Sequence, residues 1–152
     1  MNIGMYMKRN VISILETSTI REAAALFVNH HIGVLPIVDQ ERRLIGVVGL
    51  RHLLSLELPD FVRFGMDVDF VHDFGAVETT RPSAEVLDRP ITTLMIPTVS
   101  VTENTGLLRT YVLMAQQQLH DMPIVSADGK LVGIASRVDI GVAIFSEWIK
   151  AD

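Results

Sequence analysis

The chain contains no cysteine, which excludes disulfides and thiolate chemistry and leaves the redox compartment unmarked. It has no uninterrupted apolar run long enough for a membrane-spanning helix. It also lacks a basic balance. Against 18 Asp and Glu there are 13 Lys and Arg, giving a net charge of −5 and a pI near 5.5, a poor match to a nucleic-acid backbone. Met1 to Asn10 carries neither the apolar core nor the small-residue cleavage site of a signal peptide, so a cytoplasmic location is expected. No Gly-rich phosphate loop, no G-x-S-x-G and no paired metal ligands occur, and no enzyme activity is expected. Apolar residues, by contrast, are abundant. They make up 49% of the 152 residues, and the 10 glycines lift that share to about 55%. Surplus apolar surface of this kind favours an oligomer interface over a merely generous core.

The chain repeats itself in register. Val34-Leu35-Pro36-Ile37-Val38 returns as Asp121-Met122-Pro123-Ile124-Val125, and Leu44-Ile45-Gly46-Val47 as Leu131-Val132-Gly133-Ile134, both 87 positions later. The same shift sets Ser13 on Ser100, Glu16 on Glu103, Ile20 on Leu107 and Leu26 on Leu113. A fixed-offset echo of apolar class, Pro and Gly implies two copies of one small unit. Two half-sized units pack on each other, and the groove between them is a natural ligand site.

Each unit reads as strand, helix, strand, strand, helix. In the first, Val11–Ile14 is a short strand, Thr17 or Ser18 caps a helix beginning near Ile20, and Gly33 stops it. Val34–Val38 and Leu44–Gly49 follow as strands, and Leu50–Leu58 as a closing helix ended by Pro59. In the second, Val99–Val101 is the short strand and Leu107–Leu119 the helix. Strands Asp121–Val125 and Leu131–Ala135 are joined through Ala127-Asp128-Gly129, where Asp-Gly signals a hairpin. Ser136 caps a last helix running towards Ile149. Its apolar residues nearly encircle it, which predicts burial on most sides.

The predicted organisation is a first repeat over 1–58, a connector over 59–90 and a second repeat over 91–152. Phe61, Phe64, Phe70 and Phe74, interleaved with Asp60, Asp67, Asp69 and Asp73, distinguish the connector from a flexible tether. It either covers an apolar edge or lines a dimer or partner interface.

The paired apolar-Pro-Ile-Val strand, turn, and Gly-apolar-apolar-Ser-x-x-Asp opening a helix resemble the CBS-domain family, and two such repeats in tandem resemble a Bateman module. The resemblance covers roughly 7–57 and 92–149. It implies an α/β (α+β) fold of two tandem βαββα repeats packed as a pseudo-twofold pair. It also implies adenosine compounds (AMP, ADP, ATP or S-adenosylmethionine) as candidate ligands, with no required cofactor and no metal.

Gly133 to Asp139 takes a buried strand straight into a helix start, whose unpaired N–H groups and positive dipole end suit a phosphate. Ser136 offers a hydroxyl, Arg137 a guanidinium, and Asp139 two oxygens for vicinal ribose hydroxyls. The resemblance implies contacts of these kinds for Ser136 and Asp139, and a base slot formed by Ile96, Pro97, Val99 and Met122, with Pro123 shaping the turn. The same Ser and Asp also fit an ordinary helix cap with an acidic first-turn residue. In the first repeat the equivalent positions hold Gly49 and His52, which lack a hydroxyl and a carboxylate, so one competent site per chain is expected, in the second repeat, with Arg51 adding charge at the other. His30-His31 and His72 give weak metal signals, and the seven Met suit packing.

Two functions remain in view. One is a small regulatory module that binds an adenosine-type nucleotide between its repeats and signals occupancy to an unknown partner protein. The other is a ligand-free scaffold working through homodimer assembly. Neither nucleic acid nor membrane is an expected partner.

Overall fold

The computed structural model describes residues 1–56 and 81–151. Most of the connector, with Pro59, its four Phe, four Asp and His72, lies outside the described residues, and the first closing helix, expected to run to Leu58, ends at Leu54 with Ser55 as its C-cap. Each repeat builds one three-stranded sheet. In the first, β1 (Ile14–Leu15) runs parallel to β2 (Val34–Val38), and β2 pairs antiparallel with β3 (Leu44–Gly49). In the second, β4 (Val101–Thr102), β5 (Asp121–Val125) and β6 (Leu131–Ser136) repeat that order. The register breaks at Ile37/Val38 in one sheet and at Ile124/Val125 in the other, positions again 87 apart. A duplicated irregularity is stronger evidence of a duplicated unit than the strands themselves.

Helix α1 (Ile20–His30) buries Ile20, Ala23 and Phe27, and α2 (Leu50–Leu54) follows β3 directly. A short α3 (Ala84–Leu87) precedes the second repeat, which supplies α4 (Leu107–Gln116) and α5 (Arg137–Trp148). The cap of α1 is Thr19, whose side chain accepts the Glu22 amide at 3.1 Å, two residues beyond Thr17 and one beyond Ser18, the predicted caps. The helix ends before Gly33 because His31 takes a left-handed φ of 52° and returns its amide to the Phe27 carbonyl. In α4 the last turn stops short of Leu119, where Gln118 adopts φ 55°. The Asp128-Gly129 turn is as expected, with Gly129 at φ 84°; in the first repeat Arg42 holds the equivalent place at φ 65°.

The largest departure from expectation concerns what precedes each repeat. Lys8 exchanges two backbone hydrogen bonds with Ile134 of β6 (2.8 and 3.0 Å), and Ile96 exchanges two with Val47 of β3 (2.9 and 3.0 Å). Each leading segment thus extends the sheet of the opposite repeat. The hydrophobic clusters follow: Ile3 and Met7 pack with Met114, Met122, Ile124 and Ile140, whereas Ile91 packs with Ile20, Phe27, Leu35 and Val48. This exchange also explains why β1 and β4 have two residues each and begin later than predicted. The chain ahead of each strand crosses to the other half as far as Lys8 and Ile96 and rejoins its own core at Ile12 and Val99.

Gly46 and Gly133 are required by the exchange. A Cβ on Gly46 would fall 2.7 Å from Met95 Sδ and 2.8 Å from the Ile96 carbonyl, and one on Gly133 would strike Met7 Sδ. The conserved spacing of these glycines in the repeat therefore records a methionine from the far half lying against each strand.

The last helix is less buried than its composition predicts. Ile140 and Ala143 face the core, but Val138, Val142, Phe145, Trp148 and Ile149 are exposed in the single chain. No helix among the described residues is long and apolar enough to cross a membrane.

Candidate functional site: the cleft between the repeats

The β3–α2 and β6–α5 junctions occupy equivalent places in the two repeats. At the second, Ser136 and Asp139 cap reciprocally: Ser136 Oγ accepts the Asp139 amide at 3.1 Å, and Asp139 Oδ2 accepts the Ser136 amide at 2.8 Å. Asp139 also receives the Lys8 ammonium, at 3.2 Å on Oδ1 and 2.9 Å on Oδ2. Its side chain is 18% exposed and that of Lys8 60%. Burial works to raise the Asp139 pKa, but the Ser136 amide and then the Lys8 ammonium outweigh it and hold the carboxyl below its usual range.

The helix start has fewer free donors than the sequence suggested. Of the first three amides, Arg137 donates to the His120 carbonyl at 3.2 Å and Asp139 to Ser136 Oγ, which leaves Val138. The Arg137 guanidinium gives its Nε–H to the Leu119 carbonyl at 3.1 Å. Lys8 was not anticipated in this site. No local spacing could have found it, because it lies 131 residues from Asp139 and arrives by the exchange.

At the first junction, Gly49 donates its amide to His52 Nδ1 at 2.8 Å. With Nδ1 accepting, the neutral imidazole carries its proton on Nε2. Burial first, and the neighbouring Arg51 charge second, push the His52 pKa down. The imidazole and the Asp139 carboxylate therefore do the same backbone work, but one is neutral and the other charged.

A cavity of about 400 Å³ opens beside His52, within the range of small-molecule pockets. Its walls come from both repeats: Val34, Val47, Gly49 and Arg51 on one side, Leu119, His120 and Asp121 on the other, with Ile96 between. Asp121 pairs with Ser136 across β5 and β6, so the second-repeat wall adjoins the start of α5. Burial pushes the Asp121 carboxyl up; Lys8 and His120 oppose that and Asp139 adds to it.

The predicted base-slot residues are dispersed. Ile96 lines the cavity, but on the His52 side through its pairing with Val47. Pro97 is exposed, and Val99 packs against the second-repeat core. Met122 has no exposed surface and Pro123 is buried with it, so both shape the strand from inside. Ser136, Arg137 and Asp139 stand together at the start of α5, as the spacing required.

The sequence profile of the CBS domain matches residues 3–58 and 86–145, one segment in each repeat. The CBS domain-containing protein CBSX1, chloroplastic, of Arabidopsis thaliana is 26% identical over 145 residues, covering 91% of this chain and 61% of that protein. The chain thus spans less than two thirds of the length of the curated relatives it matches first. The crystal structure of the CBS-pair protein CBSX2 from Arabidopsis thaliana aligns with a TM-score of 0.77 at 23% identity, covering 99% of this chain and 98% of that one. A structure of CBSX2 in complex with AMP gives 0.72 at 23% identity, with coverage of 97% and 98%. The CBS domain of a bacterial CNNM/CorC family Mg2+ transporter in complex with ATP gives 0.71 at 16%, with coverage of 95% and 87%.

Proposed function

The chain belongs to the CBS-domain family as a tandem pair, and from that premise we propose that it is a small regulatory module holding an adenosine-type nucleotide in the cleft between its repeats. The observation that carries this reading is the cavity walled by both halves, adjoining a helix start that presents Ser136 and Asp139. Complexes of similar proteins with AMP and ATP support the ligand class. Ile96 and Val47 offer an apolar surface for a base on the His52 side of the cleft, and at the second-repeat helix start Asp139 offers an acceptor pair for ribose hydroxyls once its lysine partner moves. Ligand bridging two halves favours one relative orientation, which exposed helices pass to a partner protein. The module regulates; it does not catalyse.

Thermal denaturation with AMP, ADP, ATP and S-adenosylmethionine tests this. Ligand at about 100 times Kd adds roughly 2.7 kcal/mol, a rise of about 5–10 °C for a chain of this size. Asp139→Ala removes most of that rise. Unchanged melting across the panel refutes the nucleotide reading.

A second reading, assembly without a small ligand, rests on the exposed apolar stripe of Val138, Val142, Phe145 and Trp148 on α5. Two chains meeting on these helices form a homodimer. The two readings are compatible, since a dimer can also carry the ligand.

A further inference from the structure

The exchange of leading segments puts different residues at equivalent stations of the two half-sites. Lys8 pairs with Ile134 where Ile96 pairs with Val47, and Asp139 caps α5 where His52 caps α2. The second-repeat station therefore holds an ammonium bound to a carboxylate, and the first holds an apolar side chain beside a neutral imidazole. Resting on the nucleotide reading above, we propose that Lys8 is the specificity-determining residue of the second-repeat site, making it select a phosphorylated nucleoside over the free nucleoside.

The argument is one of charge and spare valence. A lone carboxylate at Asp139 would suit ribose hydroxyls but repel a phosphate dianion a few ångströms away. The Lys8 ammonium neutralises it and is joined to both its oxygens. An ammonium carries three donors, and its side chain is 60% exposed, so at least one N–H faces solvent. Several of the other donors at this helix start are engaged, namely the Arg137 and Asp139 amides and Arg137 Nε, which leaves the Val138 amide and the Arg137 Nη groups beside Lys8. Of the cations here, Lys8 is the one held directly against both oxygens of Asp139, beside the position proposed for the ribose. Its backbone is fixed on both sides by Ile134, so the side chain moves from carboxylate to phosphate without moving the strand. An exposed ion pair adds little to stability, so Lys8→Met should fold.

The test is titration of the full chain with AMP and with adenosine, followed by the amide resonances of Ser136 to Asp139, which report this site rather than the cavity beside His52. The wild type binds AMP more tightly than adenosine. Lys8→Met weakens AMP by at least about tenfold and leaves adenosine within about twofold, and Lys8→Arg restores most of the preference. Equal loss of both ligands in Lys8→Met, an unchanged AMP affinity, or a wild type without preference overturns the role of Lys8 while the nucleotide reading stands. A wild type that binds neither ligand overturns the role of Lys8, and the melting panel of four nucleosides and nucleotides then decides the nucleotide reading. Should Lys8→Met fail to fold, Lys8→Gln carries the same comparison.

Discussion

His52 Nδ1 accepts the Gly49 amide at 2.8 Å, the same distance at which Asp139 Oδ2 accepts the Ser136 amide. The N-cap amide is thus satisfied in the same way at both junctions, but only the second has the reciprocal bond, from the Asp139 amide to Ser136 Oγ, and the two acceptors differ in charge. His52 is held neutral, with a folded pKa below its ordinary 6.5. The unfolded chain then binds more protons than the folded one in the interval below that value, so stability rises with pH there. The His52 contribution is complete above the unfolded pKa and is lost as pH falls through the folded one. Urea denaturation between about pH 5 and 8 should show this dependence. His52→Asn, which keeps a side-chain acceptor for Gly49 without a titrating ring, should flatten it. An unaltered profile in the variant contradicts the assignment.

Gly46 and Gly133 predict a difference between two superficially equal substitutions. The nearest atoms to a Cβ at Gly133 all belong to the Met7 side chain, so Met7→Ala should relieve most of the cost of Gly133→Ala, whereas Gly46→Ala also meets the fixed Ile96 carbonyl and Met95→Ala should relieve it only in part. Overpacking costs about 1–3 kcal/mol at each site, measurable by denaturant titration of the two double-mutant cycles. Equal rescue in both cycles would count against the close backbone approach at Gly46.

Loss of a helix cap separates stability from ligand binding. Thr19→Ala removes the acceptor for the Glu22 amide and should lower stability by about 1 kcal/mol, or roughly 2–4 °C, with nucleotide affinity intact. Ser136→Ala should carry a similar stability cost and lower the affinity as well, because its hydroxyl also stands at the proposed site. Calorimetric melting and titration of both variants decide this.

The exposed stripe on α5 predicts self-association. Sedimentation should report a dimer at tens of micromolar, a concentration at which moderate affinities are occupied. Val142→Glu, placed mid-stripe on a residue 60% exposed, should give a monomer with an unchanged melting profile at low concentration. A monomeric wild type removes the assembly reading.

The duplicated unit was legible because its evidence is linear: apolar class, Pro36 with Pro123 and Gly46 with Gly133 recur at one offset, and the strands they mark pair as expected. Ser136 and Asp139 were legible for the same reason, since a capping box is a local pattern. The Lys8–Asp139 pair was not, because it depends on which half a leading segment joins, and spacing within one repeat is silent on that. The grouping of Ile96 with Ser136 shared this blindness: adjacency in sequence to the second repeat hides its pairing with Val47 of the first. The burial expected for α5 followed from composition, which counts apolar residues without saying what covers them.

The crossed placement of Ile3 and Met7 on one side and Ile91 on the other has a consequence for dissection of the chain. A scission anywhere in the stretch joining the repeats leaves two fragments, each carrying a piece that plugs its sibling and missing the piece that plugs itself. Produced alone, either fragment would bare a strand edge and a vacant hollow. Mixed, the pair should complement each other and regain cooperative unfolding, as two complete and self-sufficient domains on a string would have no reason to do.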